Sequence, residues 1–356
     1  MGSRVSMIVR SMARPELGRA LASLAAQTHD DLEIVLVDAT GGAHPSPPPT
    51  CGRFPIAFVA GSKPRTRPVA ANAGLEAASG DYLGFLDDDD ALDPTHVANL
   101  VDALALQQER AVAYTHAREV DARGATVRIR NEPYSRFLLF QDSYIPINAV
   151  LFRRALLEHC QFDATLEVAE DWDFWIQASV VSDFIAIPQV TAIYHSDLGT
   201  SGTGAGANHD RPKVARFWAR IAAKWQMTGE ALARDLERRF EHALQAYTHN
   251  DHALADALSD DVLRLYRFHG GALTLSGTLA AMRGDFTVAA ERFAVAAAEN
   301  PRDASVQFNL AQALDRLHRG REAAAAYARV LELEPDHPYA RQRAVALART
   351  HVHDLP

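Results

Sequence analysis

Apolar positions in the first 200 residues fall into short runs separated by helical stripes. Residues 4–10, 32–37, 56–60 and 81–86 are compact apolar runs, too short for helices and bounded by turn residues, so they predict strands. Between them, residues 15–26 place leucines at 17, 21 and 24, and residues 69–78 are helix-forming, so both predict helices. Strands alternating with helices predict an α/β fold whose mostly parallel sheet is covered on both faces. Such sheets bind ligands at the carboxyl ends of their strands. Asp38 ends the second strand and the run Asp87 to Asp90 ends the fourth, so both stand at that edge. Gly41-Gly42 and the proline tract at 45–49 predict a long loop, and residues 111–127 predict a hairpin turning at 121–124.

After residue 210 the pattern becomes helical. Pro301 and Pro335 are 34 residues apart, as are Ala289 and Ala323, Phe293 and Tyr327, and Gly277 and Ala311. This spacing predicts two tetratricopeptide-like repeats, 270–303 and 304–337, stacked as a solenoid. A third, degenerate repeat is expected at 236–269, where Ala255 aligns with Ala289 but Arg267 stands in the proline position. A capping helix is expected at 338–350. The expected division is 1–205 for an α/β domain, 206–235 for a helical linker and 236–356 for the repeats. The glycine-rich residues 199–207 read as a linker or as a lid over a site.

The chain has 356 residues, enough for two domains, and a formal net charge of -9, which argues against a nucleic-acid partner. Its two cysteines, Cys51 and Cys160, suit no zinc ribbon or disulfide framework and fit a reducing, cytoplasmic setting. No apolar run approaches the ~20 residues of a transmembrane segment. Residues 212–226 carry Val214, Phe217, Trp218, Ile221 and Trp225 on one helical stripe, with Lys213, Arg216, Arg220 and Lys224 on an adjoining one. Packing on the first domain is the expected use. Peripheral attachment at the inner face of a membrane is the alternative.

The strongest chemical signal is Leu86-Asp87-Asp88-Asp89-Asp90 at a strand end, followed by Asp93-Pro94. Adjacent carboxylates repel, and a divalent cation relieves that repulsion; oxygen ligands suit Mg²⁺ or Mn²⁺. Asp93 is expected to cap a helix beginning at Pro94.

Residues 4–195 resemble a family 2 glycosyltransferase with the GT-A fold. The likeness rests on Glu33-Ile34-Val35-Leu36-Val37-Asp38, on Ala71-Asn72-Ala73-Gly74, and on Gly80-Asp81-Tyr82 leading into Phe85 to Asp90. It extends to Phe162-Asp163 and Glu170-Asp171-Trp172-Asp173. The resemblance implies an inverting, metal-dependent transfer of a hexosyl or N-acetylhexosaminyl group. The donor would be a nucleotide-sugar, a UDP-sugar in this resemblance, and the acceptor a hydroxyl of a glycan, a lipid-linked glycan or a protein. Polysaccharide or glycoprotein biosynthesis is the implied setting. Asp38, Asn72, Asp87 and Asp88 would bind the nucleotide-sugar, with Arg67, and its neighbours Arg65 and Lys63, reaching the diphosphate. Asp89 and His195 would hold Mn²⁺ or Mg²⁺, and Asp171 would be the general base, with Glu170 as the alternative. Trp172 and Trp175 would be core anchors or stack on an acceptor sugar. The chain departs from the family after the first strand, where Arg10-Ser11-Met12 replaces proline and polar residues, and after the second, where Asp38-Ala39-Thr40 replaces Asp-Gly-Ser. A sugar nucleotidyltransferase would need a glycine-rich phosphate loop right after the first strand, and Arg10 to Arg14 contains no glycine, which argues against that class. A scaffold with an inactive transferase domain is the non-enzymatic alternative. The repeats would bind a protein partner, an acceptor or a second copy of the chain.

Overall fold

The computed structural model describes residues 3–198 and 210–352, the last five of these by backbone alone. They divide into two compact units, residues up to 226 and residues from 227 onward. The expected lid at 199–207 and the expected boundary at 205/206 lie outside the described residues.

The first unit is built on strands β1 (Val5–Ser11), β2 (Leu32–Asp38), β3 (Thr50–Cys51), β4 (Phe54–Val59), β5 (Tyr82–Asp87), β6 (Ala91–Leu92), β7 (Val112–Val120), β8 (Thr126–Arg130), β9 (Val150–Arg153) and β10 (Phe184–His195). They lie in the order β3-β4-β2-β1-β5-β9-β7-β10-β6, with β8 paired to β7. β4, β2, β1 and β5 run parallel, whereas β9 runs against β5 and β7. The sheet is therefore mixed, with a parallel half that brings three strand ends together. Ser11 stands opposite Asp38, and Arg10 opposite Asp87.

Every residue of β1 and β2 is buried, because helices cover both faces. Alternate side chains of β1 serve different cores. Val5, Met7 and Val9 pack with α1 (Leu17–Ala25) and α3 (His96–Leu106), and Ile8 packs with α2 (Arg67–Ala77) and α5 (Glu170–Val181). Gly74 permits that second contact: a Cβ there would meet Ile8 Cγ2 at 2.3 Å. Helix α3 begins at His96 with Thr95 as its N-cap, not at Pro94 behind Asp93. The backbone of Asp93 is held in the sheet instead, its N–H donating to the Thr191 carbonyl at 2.8 Å.

Helix α6 (Arg211–Thr248) gives its first turns to this unit. Phe217 and Ile221 are buried, and Trp218 lies 4.9 Å from the Trp172 ring. Asp173, fully buried on α5, accepts from Trp225 Nε1 at 2.7 Å and from Lys224 Nζ at 2.8 Å. Lys213 pairs with Glu167 at 2.8 Å, and Arg220 donates to Thr165. Both stripes of residues 212–226 thus make packing contacts. Trp172 and Trp175 are core residues; Trp172 Nε1 donates to the carbonyl of Leu139, on the short helix α4 (Arg136–Leu139).

The second unit contains the rest of α6 and α7 (His252–Leu265), α8 (Gly270–Met282), α9 (Phe286–Glu299), α10 (Ala304–Arg316), α11 (Gly320–Leu333) and α12 (Pro338–Val352). α7, α9 and α11 begin 34 residues apart, and so do α8, α10 and α12. Each α6–α7, α8–α9 and α10–α11 turn passes through one residue of positive φ, at Asn250, Gly284 and His318. The degenerate repeat therefore keeps the frame although its closing proline is absent. The repeat positions Ala289, Ala323, Phe293 and Tyr327 are buried, and a Cβ on Gly277 would strike the Phe293 ring at 2.8 Å. Among the described residues no helix is long and apolar enough to cross a membrane.

Candidate active site

The acidic run leaves β5 at the sheet's carboxyl edge, and arginines from the end of β1 and from the chain just after it meet it. Arg10 grips Asp87 with Nε (2.7 Å) and Nη2 (2.9 Å), and its Nη1 reaches Glu170 at 2.7 Å. Arg14 Nη1 lies 3.0 Å from Asp88 and 2.7 Å from Asp89. Arg67, the first residue of α2, stands 3.7 Å from Asp87.

The four aspartates differ in electrostatic balance. Burial works against ionisation of Asp87, but Arg10 and Arg67 outweigh it and hold its pKa below the usual range. Burial raises Asp88, although Arg14 and the Met12 N–H oppose it. Burial and the Asp87 charge push Asp89 up to about 6. Burial and the charges on Asp89 and Asp87 raise Asp90 well above the carboxylate range. Asp90 accepts the His195 backbone N–H at 2.9 Å.

Two cavities adjoin this cluster. One, of about 250 Å³, is lined by Arg14, Ala39, Arg65, Asp88 and Lys213 among others; the other, of about 60 Å³, is lined by Asp90, Arg130, Asn148, Asp171 and Tyr194 among others. Arg10, Arg67 and Asp87 line both and so form the wall between them. Asp171, partly buried at the start of α5, accepts a local bond from the Trp172 N–H at 2.9 Å. Burial and the neighbouring Glu170 charge raise its pKa to about 6, against the opposing pull of Arg67 and Arg10.

Several residues expected at the site are used elsewhere. Asp38 lines neither cavity: its oxygens accept from Thr40 N, Thr40 Oγ1, Gly42 N and Gly61 N at 2.6–3.2 Å. Burial alone would raise its pKa, and these donors instead hold it at about 2. It shapes the loop that presents Ala39 to the larger cavity. Asn72 pairs with the backbone of Phe162, donating at 2.9 Å and accepting at 3.3 Å, and so fastens α2 to the chain before α5. Arg65 lines the cavity but spends its guanidinium on the carbonyls of Asp38 and Ala60. Lys63 lines neither cavity.

Asp89 and His195 also stand outside the cavity linings. Their chemistry nonetheless suits a divalent cation. Asp89 is raised by burial and neighbouring carboxylates although Arg14 lies 2.7 Å away, and the buried His195 Nδ1 has no hydrogen-bond partner among the described residues. Burial lowers the pKa of His195, which favours the neutral, ligating imidazole. No group of three His, Cys, Asp or Glu side chains forms a ligand set among the described residues. Sequence reasoning missed the work of Arg10, visible only as a departure from the family pattern. It also missed Arg130, Asn148 and Tyr194, which nothing in the local sequence marks.

The family model for glycosyl transferase family 2 matches residues 7–159, the segment that carries β1, β5 and the acidic run. Residues 7–159 thus carry a family 2 glycosyltransferase domain. Its mixed sheet carries the candidate site at the carboxyl edge, where the GT-A resemblance places it. The transferase domain is similar to the uncharacterized glycosyltransferase YwdF of Bacillus subtilis, at 26% identity over 55% of this chain and 76% of that protein. It is also similar to the O-antigen biosynthesis protein RfbC of Myxococcus xanthus, at 28% identity over 53% of this chain but only 16% of that protein. The S. aureus TarS 1–349 structure in complex with UDP aligns at 18% identity and a TM-score of 0.47, covering 84% of this chain and 92% of that one.

Proposed function

We propose that this transferase domain moves a sugar from a UDP-sugar to an acceptor hydroxyl by direct, inverting displacement, with Asp171 as the general base. The observation that carries this reading is the placement of Asp171. It is a carboxylate of raised pKa that faces a cavity sharing one wall with a larger, arginine-lined cavity. The larger cavity takes the nucleoside diphosphate, with Arg67 and the amino end of α2 toward its phosphates. Asp87, held ionised in the shared wall, faces the donor sugar. The smaller cavity takes the acceptor hydroxyl. A base with a pKa near 6 is ionised at neutral pH yet remains able to accept a proton. Glu170 is the weaker candidate because Arg10 engages it and it lines neither cavity.

Mn²⁺ or Mg²⁺, held by Asp89 and His195, would supply positive charge against the departing diphosphate. The protein's own contribution to that charge is Arg67 and Arg14. In this reading the repeats bind a protein partner, the acceptor or a second copy.

The test is Asp171→Asn. Release of UDP from UDP-glucose or UDP-N-acetylglucosamine, with Mn²⁺ present, should fall by roughly 10²–10⁴-fold while UDP affinity is kept. Undiminished release would remove Asp171 from the base role. An inactive parent chain that still binds UDP would favour the scaffold reading.

A further inference from the structure

Near its end β1 places a charged side chain inside the protein. Arg10 is 6% exposed, and its guanidinium divides between two carboxylates from different elements. Two N–H groups make a side-on fork to Asp87, at the end of β5, and the third bonds Glu170, at the first turn of α5. Such a fork fixes angle as well as distance, which a lysine cannot do. The turn it holds is strained. Ala169, immediately before Glu170, has φ 58° and ψ 30°, a left-handed conformation that is unfavourable for a residue with a Cβ. Strain of this kind persists only where the surroundings over-determine it. The other Glu170 oxygen, Oε2, is buried without a hydrogen-bond partner, so Arg10 is the principal polar anchor of that carboxylate.

We infer that Arg10 is a positioning residue: it ties the donor-side Asp87 to the first turn of α5 and thereby sets where Asp171, one residue further on, meets the acceptor cavity. The inference rests on the reading of Asp171 as the base. It gives that reading a specific mechanical origin, in the guanidinium near the end of β1. It also explains why two adjacent carboxylates act differently. Glu170 is turned into the ion pair and Asp171 is left to the cavity. The groups acting on Asp171 are Glu170 on its own helix, Arg10 from β1 and Arg67 from α2, with Asp87, Asp90 and Arg130 lining the same cavity.

The experiment needs no substrate. The full chain is labelled with ¹³C at the aspartate carboxyl carbons, the Asp171 signal is assigned with Asp171→Asn, and its titration is followed in the parent, Arg10→Gln, Arg10→Lys, Glu170→Gln and Arg10→Gln/Glu170→Gln proteins. Arg10 favours the charged form of Asp171 and Glu170 opposes it. Arg10→Gln should therefore move the last step of the titration above the parent midpoint, and Glu170→Gln should move it below. The double variant should differ from the sum of the two shifts, as expected of groups joined by one contact. Arg10→Lys keeps the charge and loses the fork, so its midpoint should lie between parent and Arg10→Gln. It also carries the test if Arg10→Gln does not fold. An Asp171 midpoint unchanged by every Arg10 variant would overturn the inference. Loss of UDP release in Asp171→Asn with unmoved midpoints would sink the role of Arg10 alone. Moved midpoints with undiminished release in Asp171→Asn would sink the base assignment alone.

Discussion

Aspartates do opposite work in the two units. In the repeat unit three of them stand at helix starts. Asp251, Asp285 and Asp303 each accept a backbone N–H three residues on, at 3.1 Å, from Leu254, Val288 and Val306. His269 caps α8 in the position Asp303 occupies for α10, 34 residues later. Each cap satisfies a donor that the helix leaves open, and each favours the fold. In the transferase domain Asp87 to Asp90, Glu170 and Asp171 crowd one edge of a sheet, and burial and mutual repulsion raise Asp88, Asp89, Asp90 and Asp171 together. The same residue type stabilises where the backbone is its partner and destabilises where other carboxylates are its neighbours. Local rules hold throughout the first arrangement and fail in the second, as expected where chemistry rather than stability has set the residues.

That contrast can be tested from both sides. The largest effect belongs to the repeat unit, whose stability lies in packing. Phe293→Ala empties the space against Gly277 and should cost about 3–5 kcal/mol in urea denaturation followed by far-ultraviolet circular dichroism. A cost below about 1 kcal/mol would mean that the repeats are loosely packed.

A smaller effect of opposite sign is expected in the transferase domain. Asp171 keeps its proton to about pH 6 when folded, whereas an unfolded aspartate ionises near 4. Folding therefore binds a proton between those values, and the stability associated with it is present below pH 4 and lost as pH rises through 6. Asp171→Asn, which removes that charge, should be more stable than the parent by about 1–3 kcal/mol at pH 7.5, with the gap closing toward pH 4. Equal melting temperatures at both pH values would show that the carboxylates are not in conflict.

Much of this was readable along the chain, and the losses share a cause. The strands at 4–10, 32–37 and 81–86 were legible because burial on both faces makes a continuous apolar run. The repeats were legible because each position recurs after 34 residues, down to Ala255 in the degenerate unit. Side-chain destinations were not legible. Asn72 is absorbed by the Phe162 backbone 90 residues away, and Asp38 by its own loop. Arg10 looked like a lapse from the family pattern because its partners, Asp87 and Glu170, lie 77 and 160 residues further on. Periodicity reports which face a residue occupies, and pairing across the sheet decides what its polar atoms do there.

The central claim is that the cavity walled by Arg10, Arg67 and Asp87 holds the donor nucleotide. Calorimetric titration of the full chain and of Arg67→Ala with UDP, each with and without Mn²⁺, tests it most directly. The account predicts one UDP per chain, weaker binding without Mn²⁺, and a loss of affinity in Arg67→Ala of roughly 10–100-fold, the worth of a charge-assisted hydrogen bond. No heat of UDP binding with Mn²⁺ present, or equal affinity in parent and Arg67→Ala, would contradict it.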